Sequence, residues 1–261
     1  MGTYIDIGGL RTWYEESGSG EPVVLLHGGL VTNETWGSQL PAFAERYHIY
    51  APERRAHGHT PDVEGPLSYD DMASDTIGFL ETVVGGPSRL VGWSDGGVVG
   101  LIVAIRRPDL VIKLVIVGSN YNAKASVPEA AAMLEQMDPE APDMAMFRSL
   151  YEAATPDGLD HWPVVVRKLV EMWSSQPDID LADLARITAP TLVMVGDDDM
   201  VRLDHTDELY RAIPNSELAV VPGSSHAVLM EKPDLANRII LDFLANDPVP
   251  TMIPFRRAAD V

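Results

Sequence analysis

Three short segments carry side chains that could perform nucleophilic chemistry together. Gly92-Trp93-Ser94-Asp95-Gly96-Gly97 sets a serine among glycines in a G-x-S-x-G spacing, after one apolar run and before another. In a strand-turn-helix context that spacing makes a sharp turn that lifts the serine oxygen above the sheet, beside a helix N-terminus. A serine hydroxyl attacks a carbonyl only when a base takes its proton, and the base needs a carboxylate to orient it. Val195-Gly196-Asp197-Asp198-Asp199 places three acids directly after an apolar run, and Pro222-Gly223-Ser224-Ser225-His226 places a histidine after the next. All three segments fall at the expected carboxyl ends of strands, where open parallel sheets bind ligands. The pentapeptide alone is equally a glycine-rich tight turn. A serine, an acid and a histidine in order at three strand ends is the more specific signal.

The elements needed to hold these residues are legible in the apolar pattern. Tyr4 to Ile7, Gly8-Gly9 and Leu10 to Glu15 read as a hairpin with a two-glycine turn. Continuous apolar runs recur at residues 23–26, 48–51, 89–92, 114–117, 191–195 and 218–221, as in strands buried on both faces of a parallel sheet. Ser68 and Asp71 form a capping pair before an Ala73, Ile77, Leu80, Val84 stripe that stops at Gly85-Gly86-Pro87. Residues 98–105 are apolar all round, as in a helix packed between layers. Asp204 with Asp207 reads as a second capping pair, opening a helix through Ile213, and Ile239 to Leu244 ends the last helix. Strand–helix alternation argues an α/β fold with a mostly parallel sheet. From Tyr121 to about Ala189 no strand is evident, so this stretch is expected to be an inserted helical cap.

Composition closes several routes. The chain has 261 residues, 39 acidic against 19 basic side chains, 7 histidines and no cysteine, for a formal net charge of −20. That length suits one large domain. Without cysteine there is no disulfide, thiolate nucleophile or Cys-ligated metal. The negative charge disfavours nucleic acid and anionic lipid and mainly serves solubility. No apolar run is long enough to span a bilayer, and residues 1–9 lack the features of a signal peptide. Gly2 invites myristoylation, but Asp6 stands where Ser or Thr is wanted. A cytoplasmic monomer or homodimer is expected. His57-x-His59 lacks a third ligand, and the three aspartates lack EF-hand spacing, so no metal site and no cofactor are expected. His48, His161 and His205 read as structural or surface residues.

Taken together, these motifs resemble the α/β-hydrolase family over nearly the whole chain, in the order Ser94, acid, His226. The resemblance implies an eight-stranded, mostly parallel sheet flanked by helices. Residues 1–120 and 190–245 would form the core, 121–189 a helical cap, and 246–261 a C-terminal extension. The family's G-x-x-D pattern selects Asp199 as the acid and leaves Asp197 and Asp198 as solvated or loop-capping residues. His27-Gly28-Gly29 matches the family's H-G-x turn, which assigns one oxyanion donor to the Gly29 N–H, with Leu30 as the near alternative. The other donor is the Asp95 N–H. Arg54 to Thr60 matches the R-G-x-G-x-S/T loop except that Ala56 replaces the first glycine, a departure bearing on the local turn.

The Gly-Trp-Ser-Asp-Gly-Gly elbow is similar to that of valacyclovirase-like (biphenyl hydrolase-like) serine esterases. That subgroup implies that the Asp95 side chain receives an amine, against a simpler role at the helix N-terminus. The activity implied is hydrolysis of a small-molecule ester, lactone or amide through an acyl-enzyme. A perhydrolase, C–C hydrolase, lyase or slow ligand receptor on the same framework is the alternative. Leu30, Trp36, Trp93, Tyr121, Phe147, Tyr151, Trp162 and Trp173 are candidate pocket residues, although for the aromatics plain core packing carries the larger weight.

Overall fold

The computed structural model describes residues 2–247 and 251–253. Most of the expected extension over 246–261 therefore lies outside the described residues. Eight strands form one sheet: β1 (Thr3–Ile7), β2 (Leu10–Gly18), β3 (Pro22–Leu26), β4 (His48–Pro52), β5 (Ser88–Trp93), β6 (Val111–Val117), β7 (Thr191–Gly196) and β8 (Ser216–Val221). Their spatial order is β1-β2-β4-β3-β5-β6-β7-β8. β2 runs antiparallel to both its neighbours, and every other adjacent pair is parallel. The helices are α1 (Leu40–Ala44), α2 (Tyr69–Phe79), α3 (Asp95–Arg106), α4 (Pro128–Glu135), α5 (Ala145–Ala154), α6 (Trp162–Ser175), α7 (Leu181–Leu184), α8 (Leu203–Ala212), α9 (Val228–Glu231) and α10 (Pro233–Ala245).

The pleat divides the core in two, because successive side chains of a strand point to opposite faces. Val24 and Leu26 of β3 join a cluster with α2, α3 and α8, whereas Val23 and Leu25 join a second with Trp36, Phe43, α9 and α10. Helices thus cover both faces, and the central strands read as unbroken apolar runs for that reason. β8 departs from the expected two-sided burial. It is the edge strand, and Leu218 and Val220 are exposed on its outer face. Ser68 caps α2 as expected, accepting from Asp71 N at 3.1 Å. The second expected capping pair differs: Arg202 occupies the cap of α8, and Asp204 lies within the first turn, accepting from His205 N. Asp207 instead pairs with Arg211 one turn along.

Helices α4 to α7 lie between β6 and β7. Met144, Tyr151, Trp162, Val165 and Leu169 from this insertion share one apolar cluster with Leu30 and Ala56 of the sheet's loops. Polar ties reinforce the contact. The nearly buried Asp62 carboxylate, in the loop after β4, receives Lys168 Nζ at 2.6 Å and His161 Nε2 at 2.8 Å from the helical insertion. No described helix is long and apolar enough to cross a membrane.

The tightest requirement is the approach of α3 to the sheet. A Cβ on Gly96 would lie 1.9 Å from the Leu26 carbonyl oxygen, so even a methyl group pushes helix and strand apart. Gly96→Ala is expected to lower unfolding free energy by about 3 kcal/mol in urea titrations. Half-buried Gly86, with nothing within 4 Å of its would-be Cβ, should tolerate alanine to within about 0.5 kcal/mol.

Candidate active site

Ser94 sits between β5 and α3 with φ 54° and ψ −121°, a conformation that costs a non-glycine residue on the order of 1–3 kcal/mol. Its surroundings over-determine it. The Ser94 N–H donates to the Val117 carbonyl at 2.8 Å, and its own carbonyl accepts from Gly97 N at 2.9 Å and Ser119 Oγ at 3.0 Å. The glycines are there for space. A Cβ on Gly92 would meet the Gly96 carbonyl at 2.3 Å, and one on Gly97 would meet Ser119 Oγ at 1.9 Å. The elbow therefore closes only with glycine at these positions.

The strand ends bring Asp199 and His226 to this serine. Ser94 Oγ lies 2.9 Å from His226 Nε2, and His226 Nδ1 lies 2.8 Å from Asp199 Oδ1. An ionised carboxylate only accepts, so Nδ1 carries the proton and the Nε2 lone pair faces the hydroxyl. Asp199 is held in turn by the Val201 N–H at 3.0 Å, with its side chain wholly buried. Trp93 Nε1 donates to the His226 carbonyl at 2.9 Å. Of the other two acids, Asp197 ties the loops together by accepting from Ser224 N at 3.1 Å, and Asp198 N donates to the Ser224 carbonyl. Gly118, directly after β6, belongs to none of the sequence motifs. Its φ is +57°, and a Cβ there would lie 3.0 Å from His226 Nδ1 and 3.1 Å from Asp199 Oδ2.

The His27-Gly28-Gly29 turn is set by a buried arginine. Arg54 N donates to His27 Nε2 at 3.1 Å, and its guanidinium donates to the carbonyls of His27 and Gly28. Burial and the Arg54 charge hold the His27 imidazole far below its usual range, so it stays neutral and its Nδ1–H reaches the Gly28 carbonyl at 2.7 Å. Burial also lowers the Arg54 pKa, and the Asp95 carboxylate opposes that fall. Glu53, buried and raised by desolvation, receives His59 N and Nδ1 and so shapes the adjoining loop. Ala56 keeps that loop's left-handed backbone at φ 64° without the glycine. Neither Gly29 N–H nor Asp95 N–H donates to a protein acceptor among the described residues.

The Asp95 side chain is itself committed. It is 6 % exposed, and accepts from Tyr69 Oη at 2.7 Å and from Trp173 Nε1 at 3.1 Å to each oxygen. Burial and this carboxylate push the Tyr69 phenol well above its usual range. Oδ2 lies only 2.6 Å from where a Gly29 Cβ would stand, so the carboxylate covers the turn. Tyr69 and Arg54, absent from the expected site residues, therefore belong to its surroundings. Buried charge partners of this kind carry no periodic signal.

The expected pocket residues divide. Leu30, at φ 59°, lines a narrow cavity with Tyr151 and Trp162. Trp93 packs its ring 5.7 Å from the His226 ring. Phe147 is partly buried between the two apolar clusters. Trp36 is wholly buried in the second cluster and offers no surface to a ligand. Tyr121 stacks on His205 with ring centroids 4.1 Å apart and donates to Glu208, so its polar atom is already engaged. Both are large apolar side chains near strand ends, and sequence alone does not tell which way they turn.

Comparison with known proteins gives the family. The chain is 27% identical over 248 residues to the (E)-2-((N-methylformamido)methylene)succinate hydrolase of Acinetobacter baylyi, covering 90% of this chain and 94% of that one. It is 27% identical to the Homo sapiens serine hydrolase BPHL over 253 residues, 92% of this chain and 85% of the other. A solved serine hydrolase involved in carbazole degradation (CarC enzyme) superposes with a TM-score of 0.77 at 26% identity, covering 94% of this chain and 98% of that one. Residues 23–239 match the model of the Alpha/beta hydrolase family, and the chain, a hydrolase with an eight-stranded mostly parallel sheet, belongs to that family.

Proposed function

We propose that the chain is a serine hydrolase that cleaves a carboxylic ester, or a related lactone or amide, of a small molecule through an acyl-enzyme. The observation that carries the reading is the Ser94 Oγ–His226 Nε2–Asp199 relay, with contacts of 2.9 and 2.8 Å. His226 takes the Ser94 proton as Oγ attacks the carbonyl carbon, and Asp199 stabilises the imidazolium that forms. Gly29 N–H and Asp95 N–H receive the developing oxyanion, the second from the first turn of α3, where the helix dipole is positive. His226 then protonates the leaving alcohol or amine, and a water activated by the same imidazole releases the acid. Residues 121–189 act as a cap over the core in this reading. C–C cleavage, perhydrolysis or lyase chemistry on the same relay is the alternative, distinguished by substrate.

A second role attaches to Asp95. Its carboxylate sits beside the elbow, and an ammonium group on an amino ester could take the place of the Trp173 N–H that it now accepts. The buried Arg54 guanidinium already feels this carboxylate as a neighbouring charge, which weighs towards a structural role for Asp95.

Ser94→Ala is expected to abolish turnover of p-nitrophenyl esters while leaving the urea midpoint in place; retained turnover would sink the mechanism. Gly118→Ala should reduce kcat at least tenfold with little change in KM, because its methyl crowds His226 Nδ1 and Asp199. Steady-state kinetics on one ester separates the two parameters. Asp95→Asn should lower kcat/KM for amino-acid esters selectively if the amine reading holds; an equal loss on simple esters assigns Asp95 to structure alone.

A further inference from the structure

The Gly29 and Asp95 N–H groups, the two donors assigned to the oxyanion, are tied together by one carboxylate. The Asp95 side chain lies against Gly29, whose would-be Cβ stands 2.6 Å from Asp95 Oδ2 and 2.5 Å from Trp173 Cζ2. No methyl group fits there, so the carboxylate and the indole together bear on the backbone of the His27-Gly28-Gly29 turn. An acid in the first turn of a helix commonly faces water or accepts from that helix's own N–H groups. Asp95 instead takes donors from two other elements. Tyr69 Oη, at the start of α2, reaches Oδ1 at 2.7 Å, and Trp173 Nε1, in the last turn of α6, reaches both oxygens at 3.1 Å. Tyr69 N also donates to Gln176 Oε1 at 3.1 Å, so the start of α2 is bonded to the end of α6 as well as to Asp95.

The charge matters to catalysis because of where it sits. The Asp95 carboxylate and the Asp95 N–H belong to one residue, so covalent geometry keeps them within a few ångströms of each other. A negative charge at that range opposes an oxyanion forming on the N–H, the more so where water is excluded. Two neutral donors offset the opposition by drawing on the carboxylate's charge, and the buried Arg54 guanidinium feels the same charge. Burial first, and then the Asp95 charge, push the Tyr69 phenol well above its usual range, so it stays a donor.

We propose that Tyr69 and Trp173 are positioning residues for the oxyanion hole: they hold the Asp95 carboxylate against the Gly29 turn and away from the developing charge. The inference rests on the serine-hydrolase reading above and extends it to a contact between the helical insertion and the core. Neither residue exchanges a proton or a bond with the substrate.

Conservative variants test it on p-nitrophenyl butanoate, an ester with no amine to compete for Asp95. Tyr69→Phe removes one hydroxyl from a buried ring, and Trp173→Phe removes the indole N–H. Each is expected to lose about tenfold in kcat with KM held within about twofold, short of the ~10²–10³ lost on deleting an oxyanion donor. Inhibition by 1,1,1-trifluoro-2-hexanone gives a second readout. Ser94 Oγ bonds to its carbonyl carbon, the C=O π pair moves to oxygen, and the Ser94 proton passes to His226, leaving an oxyanion in the adduct. Its Ki should rise by the factor that kcat/KM loses. The Asp95→Asn background separates charge from packing: with no charge to hold, Tyr69→Phe should there cost less than about twofold. Variants that lower only the urea midpoint, with kcat and Ki unmoved, overturn the positioning role and leave the mechanism standing. An equal loss in the Asp95→Asn background does the same, as does failure of both variants to fold, since the two donors then serve the fold alone. If the wild type neither turns over the ester nor binds the ketone through Ser94, the catalytic reading itself fails and takes the positioning role with it.

Discussion

The left-handed, strained backbone at Ser94 is the constraint on which the rest of the site depends. A residue at φ 54° and ψ −121° stays there only because α3 is pressed against β3, β5 and β6 so closely that Gly92, Gly96 and Gly97 have no room for a Cβ. That contact sets the direction of the hydroxyl and puts the first N–H groups of α3 beside it. It also aligns the elbow with the ends of β6 and β7, from which Gly118 and Asp199 reach the imidazole. Strain in the turn is thus balanced by packing that lies mostly outside it.

Electrostatics around the elbow follow from burial. Arg54 is fully enclosed; burial first and its charge second keep the neighbouring His27 and His57 neutral, and it bonds the His27 and Gly28 carbonyls. Neutral His27 can then accept from Arg54 N and donate to Gly28 at once. Asp95 stands near the same guanidinium and is held by a phenol and an indole, so the carboxylate of the residue after Ser94 is not a free charge. Trp173 belongs to α6, which makes the helical insertion a direct partner of Asp95. Helix α6 also supplies Lys168 to Asp62 and Trp162 to the cavity beside His57. One helix therefore links the stability of the insertion to the shape of the site.

Much of this was legible in local pattern. The six apolar runs, the two-glycine hairpin, the Ser68 cap and the glycines of the elbow each report a short-range requirement, and the sheet contains them at those places. Where the reading missed, the deciding term was long-range. β8 has the composition of a central strand but is last in spatial order, so its outer face meets water. Asp204 and Asp207 had capping spacing, yet Arg202 was already at the cap when the chain left β7. For Trp36 and Tyr121 core packing already carried the larger weight, and the one is buried in a core and the other stacks on His205.

The sequence by itself determined the strand and helix periods, the glycines that a close helix–sheet contact demands, and the order of Ser94, Asp199 and His226. Those are properties of residue type and spacing, and they survive without knowledge of the fold. Only the tertiary structure decided that Asp95 is occupied by Tyr69 and Trp173, that Gly118 makes room for the His226–Asp199 pair, and that Trp173 bears on Gly29. Each joins residues tens of positions apart, and its sign turns on a burial or a few tenths of an ångström that no local pattern encodes.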